Sequence, residues 1–377
     1  MELSFDNLQY SLLDLNNANK DIFYDSISSN KELNDPQSID IFVIEYLTAQ
    51  YKRPKNLALY SELFMRLSEK CPLICQQLFE FLARPINHNN LEWKQSCFCF
   101  AKHCYHNIDK DNALLSGYVG LFSPKSLSFR FFSLYFGSKF TFLGISVLYN
   151  MLKSIKEIED ENIALENMFI GSGNDMGAID EVLLYGHPTN SIGYCLKYDM
   201  CDALMDYKDI LELPVVWSFG EYYRQLKDST PIEYAAFFGS VRCFEAIIKN
   251  NISISPRIAL FQCASGAFNI PEYNKDCFAI AVKYGQKNII MALEQNCTDF
   301  EKISIYVRFN HVFGITEHHI KLISQSSKDF GYLPIVQKEY LLLFEKLKPK
   351  IVSTWNSNII KLESKNPRIL LNTKSKK

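Results

Sequence analysis

Residues 228–250 constrain the fold more than any other stretch: Asp-Ser-Thr-Pro-Ile-Glu-Tyr-Ala-Ala-Phe-Phe-Gly-Ser-Val-Arg-Cys-Phe-Glu-Ala-Ile-Ile-Lys-Asn. Thr230 is a helix-capping residue type. Pro231 suits a first helical position, where a missing N–H costs nothing, and Glu233 completes a capping box. Ala235 and Ala236 are small and let a neighbouring helix approach closely. Gly239 predicts the end of this short helix. Ser240 starts a second helix, with Cys243, Phe244, Ile247 and Ile248 recurring at helical spacing on its apolar face. A hairpin this short cannot bury its apolar face alone and needs neighbours of the same kind, which is the logic of a solenoid.

Degraded copies of the pattern flank it. Downstream, Asp276 falls at the cap, Ala281 at the small position and Gly285 at the turn, with Ile289, Ile290 and Leu293 on the second helix. Upstream, Asn190 falls at the cap, Cys195 at the small position and Asp199 at the turn, followed by Ala203 and Leu204. Ser255-Pro256 predicts another helix start ending near Gly266, and Pro271 truncates the outer helix that would follow.

Thr230-Pro-Ile-Glu-Tyr-Ala-Ala with Gly239 resembles the TPLHxAA…G core of the ankyrin repeat. Residues from about 190 to 300 are similar to the divergent ankyrin-type region of a family of protist ankyrin-repeat proteins. Ala-Ala-Phe-Phe-Gly-Ser (235–240) and Cys243-Phe244 carry that likeness. Tyr51-Lys-Arg-Pro-Lys55 and Leu57 to Glu69 resemble the helical N-terminal region of the same family. Glu233 stands where the repeat usually has His, and the copies lie 40 and 46 residues from the best one instead of about 33.

The resemblance implies an all-α chain: a helical N-terminal domain (1–170), an ankyrin-like helical-hairpin solenoid (186–325), and a C-terminal helix with a basic tail (326–377). It also implies a non-catalytic protein–protein interaction module or scaffold that uses a concave surface. The residue before each turn tends to face that side, here Tyr198, Phe238 and Tyr284. With Tyr234, Phe237 and Lys283 nearby, these are the candidate protein-binding residues. The competing expectation is that the aromatics pack against the next repeat's first helix.

Elsewhere the pattern predicts helices over Ile39–Gln50, Leu57–Glu69, Pro72–Leu82, Leu91–Tyr105 and Ile155–Asn167, and no large sheet. Net charge is −2, with nine acidic residues against two lysines in 1–50 and six basic residues against Glu363 in 361–377. Basic residues are not interleaved with surface aromatics, so no nucleic-acid partner is expected. Eleven cysteines without a disulfide spacing, and an N-terminus (Met1, Glu2, Asp6) lacking a basic region and apolar run, predict a reducing, cytoplasmic setting. The most membrane-like stretch, Phe129–Leu152, is interrupted by Arg130, Ser138 and Lys139, so no membrane span is expected.

For chemistry, Cys99, His103 and His106 share one helical face and form the best metal-ligand candidate. The alternative reading is therefore a metal-dependent or cysteine-based enzyme in the N-terminal half, with the repeats positioning a substrate. A fourth ligand is not specified, and no cofactor is expected. Gly171-Ser-Gly-Asn-Asp-Met-Gly177 lacks the ending of a phosphate loop and reads as a turn. His311 with Glu317-His318-His319 is weak as a site, since adjacent helical residues point apart.

Overall fold

The computed structural model describes residues 5–30, 33, 35–86, 91–105, 118–122, 126–136, 176–210, 214–215, 221–249, 257–268, 275–309, 311 and 314–325. Among them every regular element is helical and no strand occurs. They group into two compact units, Met1–Pro271 and Glu272–Lys377. The expected boundary between 170 and 186 falls inside the first.

The first unit opens with six helices: α1 (Phe5–Leu13), α2 (Lys20–Ser28), α3 (Pro36–Lys52), α4 (Leu57–Lys70), α5 (Pro72–Ala83) and α6 (Leu91–Tyr105). Asp35 caps α3 by accepting from Ser38 N–H at 2.9 Å, and Pro36 takes the first helical position. The helices pack on their second neighbours. α3 lies between α1 and α5, and α4 lies between α2 and α6, so the chain alternates between two layers. Tyr46, Tyr60, Phe64 and Phe100 fill the space between layers, with Tyr46 centroids 5.5, 5.4 and 5.9 Å from the other three. Both tyrosine hydroxyls are satisfied by donation to backbone carbonyls, Tyr46 to Tyr60 at 2.7 Å and Tyr60 to Leu12 at 2.5 Å. α7 (Leu127–Phe136) and α8 (Met176–Tyr185) pack against α6.

Short hairpins follow. They comprise α9 (Ile192–Lys197) with α10 (Cys201–Leu204), α11 (Pro231–Phe238) with α12 (Val241–Lys249), and α13 (Ile258–Ser265). The second unit contains α14 (Lys275–Lys283), α15 (Lys287–Leu293), α16 (Asp299–Arg308) and α17 (Glu317–Gln325). Asp199, Gly239 and Gly285 all adopt left-handed backbone, with φ of 58°, 63° and 64°. In each case the next residue's N–H bonds back across the turn: Met200 to Cys195 O, Ser240 to Ala235 O and Gln286 to Ala281 O, at 2.9, 2.8 and 2.9 Å. This is the closing bond of a Schellman motif. The accepting residues are the three small positions that the sequence pattern singles out. Asp substitutes for Gly at the first turn because its short polar side chain tolerates this region.

In the first unit, first helices stack side by side, α9 on α11 and α11 on α13, and second helices α10 and α12 pack together. Gly239 is required twice over. Its φ is positive, and a Cβ there would lie 2.8 Å from the Ala267 Cβ.

Four sequence expectations shift. Ser191, not Asn190, caps α9, accepting from Tyr194 N–H at 3.3 Å. Asp276 lies in the first turn of α14 and not at its cap. Ile248 is 39% exposed, whereas Cys243, Phe244 and Ile247 are buried. Met176 and Gly177 begin α8, so the expected 171–177 turn is not continuous through them. Residues 155–167, His106, Pro271 and the basic tail lie outside the described residues.

Candidate functional site

The stacked first helices carry an internal polar cluster at the junction with the N-terminal layers. Lys197, the last residue of α9, pairs with Glu221 at 2.8 Å, and their side chains are 4% and 0% exposed. Burial works against the charge on Lys197, but the Glu221 carboxylate and neighbouring groups outweigh it, holding the amine's pKa above the ordinary lysine value. Glu221 also accepts from Tyr223 N–H at 3.3 Å. The Tyr234 hydroxyl, on α11, lies 2.6 Å from His187 Nε2, and burial first, then the Glu221 carboxylate, holds its pKa well above the ordinary tyrosine value. His187 is buried, and burial first, then the Lys197 charge, drives its pKa down to about 3. Two close approaches confine the cluster. A Cβ at Gly193 would lie 2.5 Å from His187 Nδ1, and one at Gly186 would lie 2.9 Å from Lys197 Nζ.

Three of the candidate aromatics belong to this interior. Tyr234, Phe237 and Phe238 are 0%, 4% and 4% exposed. The Tyr223 ring covers Phe237 and Phe238, with centroids at 5.0 and 6.0 Å, and Phe237 also meets Phe261 at 5.8 Å. Tyr223 in turn packs on Tyr51 of α3 at 5.4 Å and donates its hydroxyl to the Tyr51 carbonyl. The face expected to await a partner is thus covered by this chain's own N-terminal layers and by residues 221–226. Of the two expectations for Tyr234, Phe237 and Phe238, their burial fits packing within the chain and not an open aromatic surface. The physical reason is apolar area: the Phe237 and Phe238 rings gain more from burial against Tyr223 than from exposure.

In the second unit Tyr284 is also buried, whereas Lys283 is partly exposed with its amine 5.1 Å from the Tyr284 ring. Tyr198 is half-buried against Tyr194 and Tyr185, at 4.6 and 6.3 Å. Of the six candidates, only Tyr198 and Lys283 therefore keep access to solvent.

The junction has further ties. Lys55, just before α4, donates to Ser240 Oγ at 3.0 Å, while within the N-terminal layers Gln50 of α3 donates to Ser96 Oγ of α6 at 2.7 Å. Asp199 Oδ1 accepts from Cys243 N–H at 3.0 Å, so the first hairpin's turn caps the second hairpin's outer helix. His187, Lys197 and Glu221 show no signal in the sequence, because no spacing or motif links them.

Of the candidate ligands in the N-terminal half, Cys99 is buried, His103 is half-buried and His106 lies outside the described residues. Cys99 donates its thiol to Leu184 O at 3.5 Å, and burial pushes its pKa up to about 12, which leaves little thiolate for nucleophilic or ligand chemistry. The His103 ring stands edge-on to Tyr185 at 5.8 Å. Among the described residues, no group of three or more His, Cys, Asp or Glu is arranged to hold a metal ion. The Gly314 carbonyl accepts from His319 Nδ1–H at 2.8 Å, Thr316 Oγ1 lies 3.2 Å from the same nitrogen, and His318 Nε2 reaches Asp299 at 3.1 Å.

The outer face is different. Met200, Met205, Val241 and Ile248 are 43%, 39%, 36% and 39% exposed. They sit on or beside α10 and α12, which are adjacent. Compared with family models, with curated proteins and with solved structures, the chain matches none. Among the described residues no helix is long and apolar enough to cross a membrane.

Proposed function

We propose that this chain is an ankyrin-like scaffold that docks a protein partner and performs no turnover chemistry of its own. The carrying observation is the pair of neighbouring outer helices α10 and α12, which leave Met200, Met205, Val241 and Ile248 in solvent while the inner column is covered. Exposed apolar side chains grouped on neighbouring helices are a mark of interaction sites, and methionine adapts its shape to what it meets. Arg242 and Asp202, 3.4 Å apart and largely exposed, supply a polar rim.

Support for the ankyrin-like part of the reading comes from the three left-handed turns at Asp199, Gly239 and Gly285 and the shared bond that closes each. The side-by-side first helices and the Thr230-Pro-Ile-Glu-Tyr-Ala-Ala string agree with it. Eleven free cysteines, nine of them buried as small apolar residues, fit a cytoplasmic setting.

The test is a pull-down from native extract with the full-length chain and a Met205→Glu/Ile248→Glu variant of unchanged melting temperature. Proteins lost from the variant but retained by a Tyr198→Ala control are the expected result. The same proteins held equally by all three would overturn the outer-face assignment.

A further inference from the structure

We infer that the outer face of α10 and α12 takes a basic amphipathic helix, with apolar side chains on one face and Lys or Arg beside them. The inference rests on the outer-face docking reading and names the chemistry of its partner. The two helices are tied at their starts. Asp199, just before α10, accepts from Cys243 N–H at 3.0 Å, and Asp202 pairs with Arg242 at 3.4 Å. Each helix then brings two exposed apolar residues, Met200 and Met205 at the ends of α10 and Val241 and Ile248 on α12.

Carboxylates are interleaved with these residues. On α12, Val241, Glu245 and Ile248 follow at i, i+4 and i+7, the spacing of one helical face, and all three are exposed. Asp206 is exposed directly after Met205, and the Asp202 side chain is 96% exposed. The face carries Asp199, Asp202, Asp206 and Glu245 against Arg242 and Lys249, four carboxylates to two cations. Lys208 and Asp209, next in sequence, cancel. Arg242 is already taken by Asp202, and among the described residues Asp206 and Glu245 make no ion pair.

A partner that seats apolar side chains on Val241, Ile248 and the two methionines brings its flanking groups against Glu245, Asp202 and Asp206. An acidic partner, or an anionic membrane surface, would set like charges side by side there. Lys or Arg would pair with them. A helix suits the spacing, because its own anchors recur at i, i+3, i+4 and i+7. α12 has nine residues and is about 14 Å long, so a partner helix of about three turns covers it.

Fluorescence anisotropy on the full-length chain tests this with two labelled synthetic helices of about four turns that share one leucine face. One carries lysine on its polar face and the other glutamate. Three chains are compared: wild type, Met205→Gln/Ile248→Gln and Asp206→Lys/Glu245→Lys. The wild type should hold the lysine peptide about tenfold more tightly than the glutamate peptide, and the charge-reversed chain should invert that order. The glutamine variant should lose both. Equal binding of the two peptides by the wild type would overturn the basic partner while leaving outer-face docking to its own pull-down. Lysine-peptide binding unchanged in both variants would place it elsewhere and overturn the inference. Retention of neither peptide, with phosphatidylcholine vesicles bound instead or not at all, would also overturn it. Should the charge-reversed chain fail to fold, the salt dependence of wild-type binding decides. A lysine-peptide affinity that falls as salt rises supports the basic partner, and one that does not fall refutes it.

Discussion

Lys197 and Glu221 are the residues on which the hairpin junction most depends. They stand 24 positions apart, and each is charged in a place that excludes water. Removing one partner leaves the other charge buried and alone, which costs about 3–5 kcal/mol. Lys197→Met should therefore lower unfolding free energy by that amount in urea denaturation. Lys197→Met combined with Glu221→Gln should recover much of it, because no uncompensated charge remains. Equal losses in the single and double variants would show that packing, not charge, holds the site. None of this was legible in the sequence. Lys197 reads there as an ordinary lysine near a helix end, and Glu221 as one carboxylate in an irregular stretch. Burial and pairing arise only when the chain is folded.

Local elements were much more legible. Leu91–Tyr105 is helical over the predicted range, and Pro72 and Pro231 begin helices because a first-turn position needs no N–H. The left-handed turn at Asp199 was readable only by aligning it with Gly239. Caps were less clear: Asn190 and Ser191 are both capping types, and only the backbone shows that Ser191 does the work. Asp199 itself has two tasks, holding φ at 58° and capping α12 through Cys243 N–H. Asp199→Gly keeps the turn and loses the cap, a cost of about 0.5–2 kcal/mol. Asp199→Ala also loses the cap and, unlike glycine, keeps a Cβ in the left-handed region without the polar side chain that makes Asp tolerable there, a cost of about 1–2 kcal/mol relative to Asp199→Gly. Thermal denaturation should rank wild type above Asp199→Gly and Asp199→Gly above Asp199→Ala. If the two variants melted together, the turn conformation would not be limiting.

At the scale of the molecule, the first unit joins two-layered N-terminal helices to stacked hairpins through a shared aromatic and polar seam. Repetition in the sequence pointed to the stack, because Gly239, Gly285 and their small-residue partners recur in order. It could not point to the seam. Tyr223 and Tyr51 lie 172 residues apart, and an aromatic that packs against its own chain has the same local pattern as one that awaits a partner. The central claim is that Phe238 belongs to this seam and that docking takes place on the outer helices. Urea unfolding of the Phe238→Ala chain, read by circular dichroism, tests it most directly. If Phe238 fills the interior, stability falls by about 3–5 kcal/mol. Unchanged stability, together with loss of a bound partner, would contradict the account and return the binding site to the inner column.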